Sequence, residues 1–167
     1  TSPPDTAARI RAADVVVSNK VALDRGLLAC AARLRLVCVA ATGSNNVDLE
    51  AARELGIAVT NVTGYATPAV AQHVFALILA LSTRLLDYAR SVRSGAWARS
   101  DRFFLLDHPI RELAGRTLGI LGYGELGRAV AAIGRAFGMR VLIAQRPGGP
   151  AQPGRIPLLE LLPGVDV

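Results

Sequence analysis

Six consecutive residues in the last third of the chain have the spacing needed to hold phosphate groups. They follow an apolar run that predicts a strand, residues 117–121, and they open a segment with helical periodicity. In such a motif the first glycine permits a tight turn, the second lets the backbone approach a pyrophosphate, and the third lets helix and sheet pack closely. Unpaired amides at the start of the helix attract the phosphates. The six residues are Gly122-Tyr123-Gly124-Glu125-Leu126-Gly127.

In this context of strand, loop and helix, the motif predicts a dinucleotide-binding loop, and the competing interpretation is a structural glycine turn. The end of the next strand selects the dinucleotide, because an acidic residue there binds the adenosine ribose and repels a 2′-phosphate. This sequence has Gln145-Arg146 instead. Arg146 can pair with a phosphate, which favours tolerance of NADP. In the alternative, Gln145 bonds the ribose of NAD and Arg146 stacks on the adenine.

The elements that must position this loop alternate between strand and helix. Strands are predicted at residues 14–17, 36–40, 57–60, 117–121 and 140–144, and short helices at residues 27–34 and 47–55. Asn46 is the predicted cap of the second of these helices, and Gly56 lies just past its end. A series of such units predicts an α/β fold with parallel sheets.

A long helix is predicted between the two α/β segments. Pro68 suits its first turn, and the apolar pattern continues towards Val92 and stops near Gly95. Its apolar residues predict burial against another domain or subunit; they are Val70, Val74, Leu77, Leu81 and Leu85. The segment 95–114 has no clear period and predicts a crossover loop. The helix after the glycine motif has a predicted core face of Leu126, Val130, Ile133 and Phe137.

Charge and composition narrow the classes of partner. The formal net charge is +6, but the 19 basic residues are scattered and aromatic residues are only 5%. Nucleic-acid binding is therefore not predicted, and the basic balance suits an anionic cofactor or substrate. The longest apolar run, residues 74–81, is far too short to span a bilayer. Cys30 and Cys38 lie in apolar surroundings, which predicts buried thiols in a reducing, cytoplasmic compartment, and no metal site is predicted.

Several stretches together resemble the D-isomer-specific 2-hydroxy-acid dehydrogenase family over nearly the whole chain. They are ATGSNNVD at residues 41–48, NVTGYAT at 61–67, GAW at 95–97, LAGRTLGILGYGELGR at 113–128 and AFGM at 136–139. Within the family, the resemblance is to the glycerate dehydrogenase, or hydroxypyruvate reductase, branch. That finer resemblance rests on SNKV at residues 18–21, NVTGY at 61–65 and FLLD at 104–107.

The resemblance implies two α/β domains, each incomplete in this chain. Residues 1–67 would belong to a flavodoxin-like domain that binds the substrate. Residues 68–114 would form the long helix, placed in a homodimer interface, and the crossover. Residues 115–167 would begin an NAD(P)-binding Rossmann-type domain with a doubly wound parallel sheet.

The resemblance also assigns roles by matching positions. Backbone amides around Thr42 and Gly43 would hold the substrate carboxylate, Ser44 would line the same pocket, and Thr67 would face the cofactor. An Arg that binds the substrate and a Glu–His pair that transfers the proton belong to segments after Val167, so no catalytic residue is assigned here. His73 and His108 are interpreted as surface or packing residues.

The implied activity is that of an oxidoreductase, with the present chain inactive on its own. The enzyme would reduce hydroxypyruvate, glyoxylate or a similar 2-oxo acid with NAD(P)H by hydride transfer. Two alternatives stay open. One is a nicotinamide-dinucleotide-binding module without catalysis, and the other is a sister dehydrogenase acting on phosphoglycerate or formate.

Overall fold

The computed structural model describes residues 2–167, which divide after Tyr65 into two compact α/β units. The first unit is a three-stranded parallel sheet in the order β1-β2-β3, with Val15 paired to Leu36 and Leu36 paired to Ala58. Its elements are α1 (Pro3–Ile10), β1 (Val15–Ser18), α2 (Arg25–Cys30), β2 (Leu36–Val39), α3 (Leu49–Glu54) and β3 (Ala58–Asn61).

Aspartate caps fix where the two short helices of this unit begin. The carboxylate of Asp48 accepts a 2.8 Å hydrogen bond from the amide of Ala51 at the start of α3. The predicted cap, Asn46, is therefore wrong, because its side chain donates to the carbonyl of Val21 instead. Helix α2 begins after Asp24 and ends at Cys30, short of the predicted residue 34, because Ala31 leaves the helical conformation at φ −100° and ψ 69°.

The core of the first unit is centred on the middle strand. Val37 and Val39 of β2 are 0% and 1% exposed, whereas Val15 and Val17 on the edge strand β1 are exposed. Burial of Cys30 was predicted, but the structure exposes this thiol, and Cys38 is only half-buried. Both cysteines are free thiols in the structure.

The second unit, Ala66–Val167, contains a parallel pair of strands and the helices around it. Its elements are α4 (Thr67–Ser82), α5 (Leu85–Arg93), β4 (Thr117–Ile120), α6 (Glu125–Ala136), β5 (Arg140–Ile143), α7 (Leu158–Leu161) and a 3₁₀ turn (Leu162–Gly164). The predicted crossover, residues 95–114, contains no helix or strand.

Backbone hydrogen bonds extend this sheet on both sides. Ile156 forms a parallel bridge with Ala144 just after β5, and the amide of Gly119 in β4 donates to the carbonyl of Val167 at 2.8 Å. The order across the unit is thus residue 156, β5, β4, residue 167. The chain thus adds β5 and residue 156 on one side of β4 and then crosses over to add residue 167 on the other side. In the doubly wound fold, ligands bind at such a crossover point, outside the carboxyl ends of the strands.

The predicted long helix is interrupted, and the prediction of one continuous helix to residue 92 is wrong. Helices α4 and α5 meet at a 60° bend, where Arg84 has a left-handed φ of 55°. The hydroxyls of Ser82 and Thr83 donate to the carbonyls of Ile78 and Leu79, a pattern that bends helices. Among the described residues, no single helix is long and apolar enough to cross a membrane; only the bent pair together meets that length and composition.

Helix α6 packs on β4 and α4 through a face that matches the predicted core face in part. Val130 and Ile133 are half-buried and pack against the core as predicted, whereas Leu126 and Phe137 are 45% and 40% exposed. The buried residues of the helix are Ala131 and Gly134. A Cβ atom at Gly134 would lie 2.7 Å from Cδ2 of Leu118, so glycine sets how closely helix and strand approach. Phe137 nevertheless stacks on Phe75 of α4, with ring centroids 5.4 Å apart.

Candidate functional site

The turn between β4 and α6 has the backbone geometry that its three glycines permit. Gly122 has a φ of +92°, a conformation that side-chain-bearing residues rarely adopt. A Cβ atom at Gly127 would lie 2.1 Å from the carbonyl oxygen of Gly122, so the first turn of α6 lies directly against the loop. A Cβ atom at Gly124 would meet no atom within 4 Å, so space is open beside the backbone of this residue.

The start of α6 is suited to an anion. Gly124 is its N-cap residue, and within residues 2–167 no side chain caps the helix. A helix of this length carries partial positive charge at its N-terminus, together with amides that lack intrahelical acceptors. The open space at Gly124 and this uncapped end fit the phosphates of a dinucleotide.

The structure places Thr67 beside this loop. Its hydroxyl, on the first residue of α4, donates a 2.6 Å hydrogen bond to Oε1 of Glu125, the first residue of α6. Ala66, before α4, provides no side-chain cap either. Thr67 and the glycine loop, which lie far apart in sequence, are therefore brought together within the second unit.

A cavity of about 550 Å³ adjoins the loop at the carboxyl ends of β4 and β5. Its lining includes three of the predicted cofactor residues from the loop, Gly122, Tyr123 and Gly124, together with Gln145 and Arg146. The other three predicted loop residues lie on the first turn of α6, where Glu125 and Leu126 are exposed and Gly127 is half-buried.

The side chain of Gln145 is already engaged with the chain that follows it. Its amide nitrogen donates to the carbonyl oxygens of Pro150, at 2.5 Å, and Gly149, and its oxygen accepts from the amide of Gln152. These contacts hold the Pro/Gly-rich loop after β5. Arg146, by contrast, is exposed and has no carboxylate partner within residues 2–167.

Sequence reasoning missed Arg155, which lines the same cavity. Its guanidinium carbon lies 4.9 Å from the ring centroid of Tyr123, and that of Arg128 lies 5.8 Å from the same ring. Arg155 directly precedes Ile156, which pairs with the end of β5. Recognising Ile156 as a strand position would have placed Arg155 at this edge of the sheet.

In the first unit, the predicted carboxylate-binding loop follows β2. The hydroxyl of Thr42 donates to the carbonyl of Val62, and the side chain of Asn61 donates to the carbonyl of Thr42 at 2.7 Å. Thr42 and Gly43 are exposed and Ser44 is half-buried. Within the described part of the chain, the amides of these three residues donate to no backbone acceptor, so they are free to meet an anion.

One histidine of the second unit lies at the surface, and the other is held in a packing contact. His73 is exposed on α4. His108 is fixed against α5, because its carbonyl accepts from the hydroxyl of Tyr88 at 2.7 Å and its Nε2 lies 3.1 Å from Oγ of Ser91. Among the described residues, no group of three potential ligands could hold a metal ion.

Comparison with known proteins assigns the class that the fold suggests. Residues 1–142 match the D-isomer specific 2-hydroxyacid dehydrogenase family, catalytic domain. This match covers most of the chain, and the chain belongs to that family. The resemblance noted from the sequence is thereby confirmed.

Individual relatives agree with the family. The chain is 42% identical over 141 residues to a glycerate dehydrogenase of Methylorubrum extorquens, covering 84% of this chain and 45% of that protein. The crystal structure of the TT0316 protein from Thermus thermophilus matches with a TM-score of 0.82 and 33% identity, over 99% of this chain and 53% of that one. A D-lactate dehydrogenase from Aquifex aeolicus, complexed with NAD and lactic acid, matches with a TM-score of 0.68 and 33% identity, over 83% of this chain and 40% of that one.

These matches confirm the predicted α/β fold class with partial parallel sheets. The chain spans about half the length, or less, of the relatives it matches.

Proposed function

We propose that this chain is the part of a D-2-hydroxy-acid dehydrogenase that binds the nicotinamide cofactor and the substrate carboxylate. The observation that carries the proposal is the turn from Gly122 to Gly127, with its left-handed first glycine, its open space at Gly124 and its close contact at Gly127. Each of these properties is one that pyrophosphate binding requires of this motif. Membership of the family supports the reaction class.

In the second unit, backbone amides of the loop and of the first turn of α6 would hold the pyrophosphate, with Thr67 close by. Gln145 and Arg146, at the end of β5, would face the adenosine ribose. When bound, the nicotinamide ring supplies the hydride. We favour use of NADP, because the amide group of Gln145 is engaged by its own loop, whereas Arg146 is exposed and unpaired among the described residues.

In the first unit, the free amides of Thr42 and Gly43 would bind the substrate carboxylate, and Ser44 would offer its hydroxyl to the same ligand. Backbone amides in such a loop form a concave site of positive partial charge without the desolvation cost of a buried cation. Similarity to relatives named glycerate dehydrogenase, hydroxypyruvate reductase and glyoxylate reductase supports a small 2-oxo acid of the hydroxypyruvate or glyoxylate type as the substrate.

The test is oxidation of NADPH and NADH by the purified protein that contains this chain, with hydroxypyruvate or glyoxylate as acceptor. Turnover with either acid supports the proposal. Oxidation of formate or 3-phosphoglycerate with NAD⁺ or NADP⁺ instead would assign a sister activity. Binding of NAD(P)H without turnover of any of these acids would assign a binding module.

We also propose that the protein is a homodimer through α4 and the bend after it. Apolar side chains stay exposed along this segment, among them Leu77, Leu81 and Leu85. Leu81→Glu is expected to shift the dimer to monomer in analytical ultracentrifugation, since Leu81 is 77% exposed and the proposed interface would bury it. The matched control is Leu159→Glu on α7, where the leucine is 82% exposed. Equal behaviour of the two variants contradicts this interface.

A further inference from the structure

We propose that Arg155 is a specificity residue that binds the 2′-phosphate of NADP(H) together with Arg146. This inference rests on the proposed function of the glycine loop. It assigns a second positively charged residue to the part of that site that would bind the adenosine of the cofactor. The observation behind it is that Arg155 and Arg146, from two different segments, line the same cavity next to the loop.

The position of Arg155 is fixed by the sheet. The residue after it, Ile156, accepts from the amide of Gln145 at 2.7 Å and donates to the carbonyl of Ile143 at 3.0 Å. These backbone bonds place Arg155 next to the end of β5. The Pro/Gly-rich loop that leads to it is in turn tied down by Gln145, which bonds Pro150 and Gln152.

The side chain of Arg155 is also held in place. Its guanidinium lies over the ring of Tyr123, with the central carbon 4.9 Å from the centroid, and Tyr123 belongs to the glycine loop itself. Stacking on an aromatic face orients a guanidinium and leaves its N–H groups free to bind in their own plane. Arg155 is half-buried, and within residues 2–167 it forms no ion pair.

The charge of the residues that line the cavity favours NADP(H), which carries a 2′-phosphate, over NAD(H), which carries a free 2′-hydroxyl. Two arginines line it, and no carboxylate does. A ribose diol needs acceptors and no cations, whereas a phosphate monoester carries close to two negative charges, and the planar guanidinium binds it with two parallel hydrogen bonds. Two arginines without acidic partners therefore match the 2′-phosphate rather than the free 2′-hydroxyl.

The experiment compares dissociation constants for NADPH and NADH in the purified wild-type protein and in Arg155→Ala, Arg155→Lys and Arg146→Ala. Arg155→Ala is expected to weaken NADPH roughly tenfold to a hundredfold, the usual effect of losing hydrogen bonds to a charged group, with NADH changed by less than about twofold. Arg155→Lys keeps the charge but loses the planar fork, so an intermediate loss is expected. The matched control is Arg135→Ala, an exposed arginine in the last turn of α6.

Adenosine 2′-phosphate and adenosine 5′-phosphate separate the two phosphates that Arg155 could meet. Selective loss of the 2′-phosphate ligand in Arg155→Ala supports the inference. Equal loss of both ligands, or no loss, overturns it, because Arg155 would then bind the pyrophosphate end or only pack on Tyr123. If Arg155→Ala does not fold, the ratio of adenosine 2′-phosphate affinity to adenosine 5′-phosphate affinity in Arg155→Lys tests the inference in the same way.

Failure of the proposed function gives a different result. If the folded wild-type protein binds neither NADPH nor NADH, both the proposed dinucleotide site and this inference are wrong. If the wild-type protein binds both cofactors and Arg155→Ala leaves the ratio of NADPH to NADH affinity unchanged, the dinucleotide site is supported and only the role of Arg155 is wrong.

Discussion

Thr67 and Glu125, which are 58 residues apart in the sequence, are joined by a 2.6 Å hydrogen bond from the threonine hydroxyl to the glutamate carboxylate. Each is the first residue of a helix, α4 in one case and α6 in the other. The bond therefore brings two helix N-termini to one carboxylate. Because a helix N-terminus favours negative charge, Glu125 stabilises both ends but adds negative charge beside the proposed phosphate site.

Replacement of Glu125 by glutamine is expected to separate these two effects. Glu125→Gln should lower the free energy of unfolding by about 0.3–1 kcal/mol, because the charge at the helix N-terminus is lost. It should tighten NAD(P)H binding by a few-fold, because a like charge near the phosphates is removed. Urea unfolding and fluorescence titration measure the two quantities.

The matched control for that variant is Glu50→Gln, a change of the same kind in the first turn of α3. It should cost similar stability and leave cofactor binding unchanged. Weaker cofactor binding in Glu125→Gln would show instead that the carboxylate positions Thr67 for the ligand.

Two alanine substitutions in the glycine loop should act on different properties. Gly127→Ala places a Cβ atom 2.1 Å from the backbone oxygen of Gly122, so it is expected to destabilise the protein by about 1–3 kcal/mol. Gly124→Ala meets no atom within 4 Å, so its stability should stay within about 0.5 kcal/mol of wild type. Its methyl group would nevertheless occupy the space proposed for the pyrophosphate, and NAD(P)H binding should fall about tenfold or more. Melting curves and titrations of both variants check this, and unchanged cofactor binding in Gly124→Ala would argue against the site.

Gln145 should control the choice between NADPH and NADH. Gln145→Glu keeps the shape of the side chain but puts a negative charge at the end of β5, where it repels a 2′-phosphate and accepts from a ribose hydroxyl. The ratio of NADPH to NADH affinity is expected to fall about tenfold or more, measured by titration with both cofactors.

The control for charge at this position is Gln145→Leu. Like Gln145→Glu, this variant loses the hydrogen bond donated to Pro150; it loses in addition the one accepted from Gln152, and it adds no charge. It should weaken both cofactors to a similar extent by releasing the loop after β5. If Gln145→Leu changes the ratio as much as Gln145→Glu does, loop position rather than charge selects the cofactor.

Asp166 should make stability depend on pH in the acid range. Its carboxylate accepts from the amide of Thr117 at 2.8 Å and from Arg116 at 3.1 Å, and these contacts hold its pKa below the ordinary value of 3.8. Since the folded-state pKa is the lower one, the stabilisation is complete above the unfolded-state pKa and is lost as the pH falls through the folded-state value.

Asp166→Asn should therefore be less stable than wild type at neutral pH, and the two urea midpoints should converge in strong acid. The control is Asp101→Asn, an exposed carboxylate in the crossover. A difference between Asp166→Asn and wild type that stays constant at every pH would mean that the carboxylate charge is not the cause.

The sequence by itself determined the parallel α/β units and the glycine turn that we propose to bind phosphate, because both depend on local chemistry. The period of apolar residues distinguishes strand from helix, and the spacing of Gly122, Gly124 and Gly127 follows from backbone sterics within a single turn. These features need no knowledge of distant neighbours. The spacing alone therefore identified the loop, and the fold around it agrees with the family.

The tertiary structure alone decided the features that depend on residues far apart in the chain. Asp48 and Asn46 are both acceptable caps by residue type, and the bond from Asn46 to Val21 decided between them. The bend at Arg84 interrupts an apolar period that continues unbroken in the sequence. The positions of Thr67 against Glu125 and of Arg155 over Tyr123 follow from how helices pack on the sheet, and residue spacing carries no record of that packing.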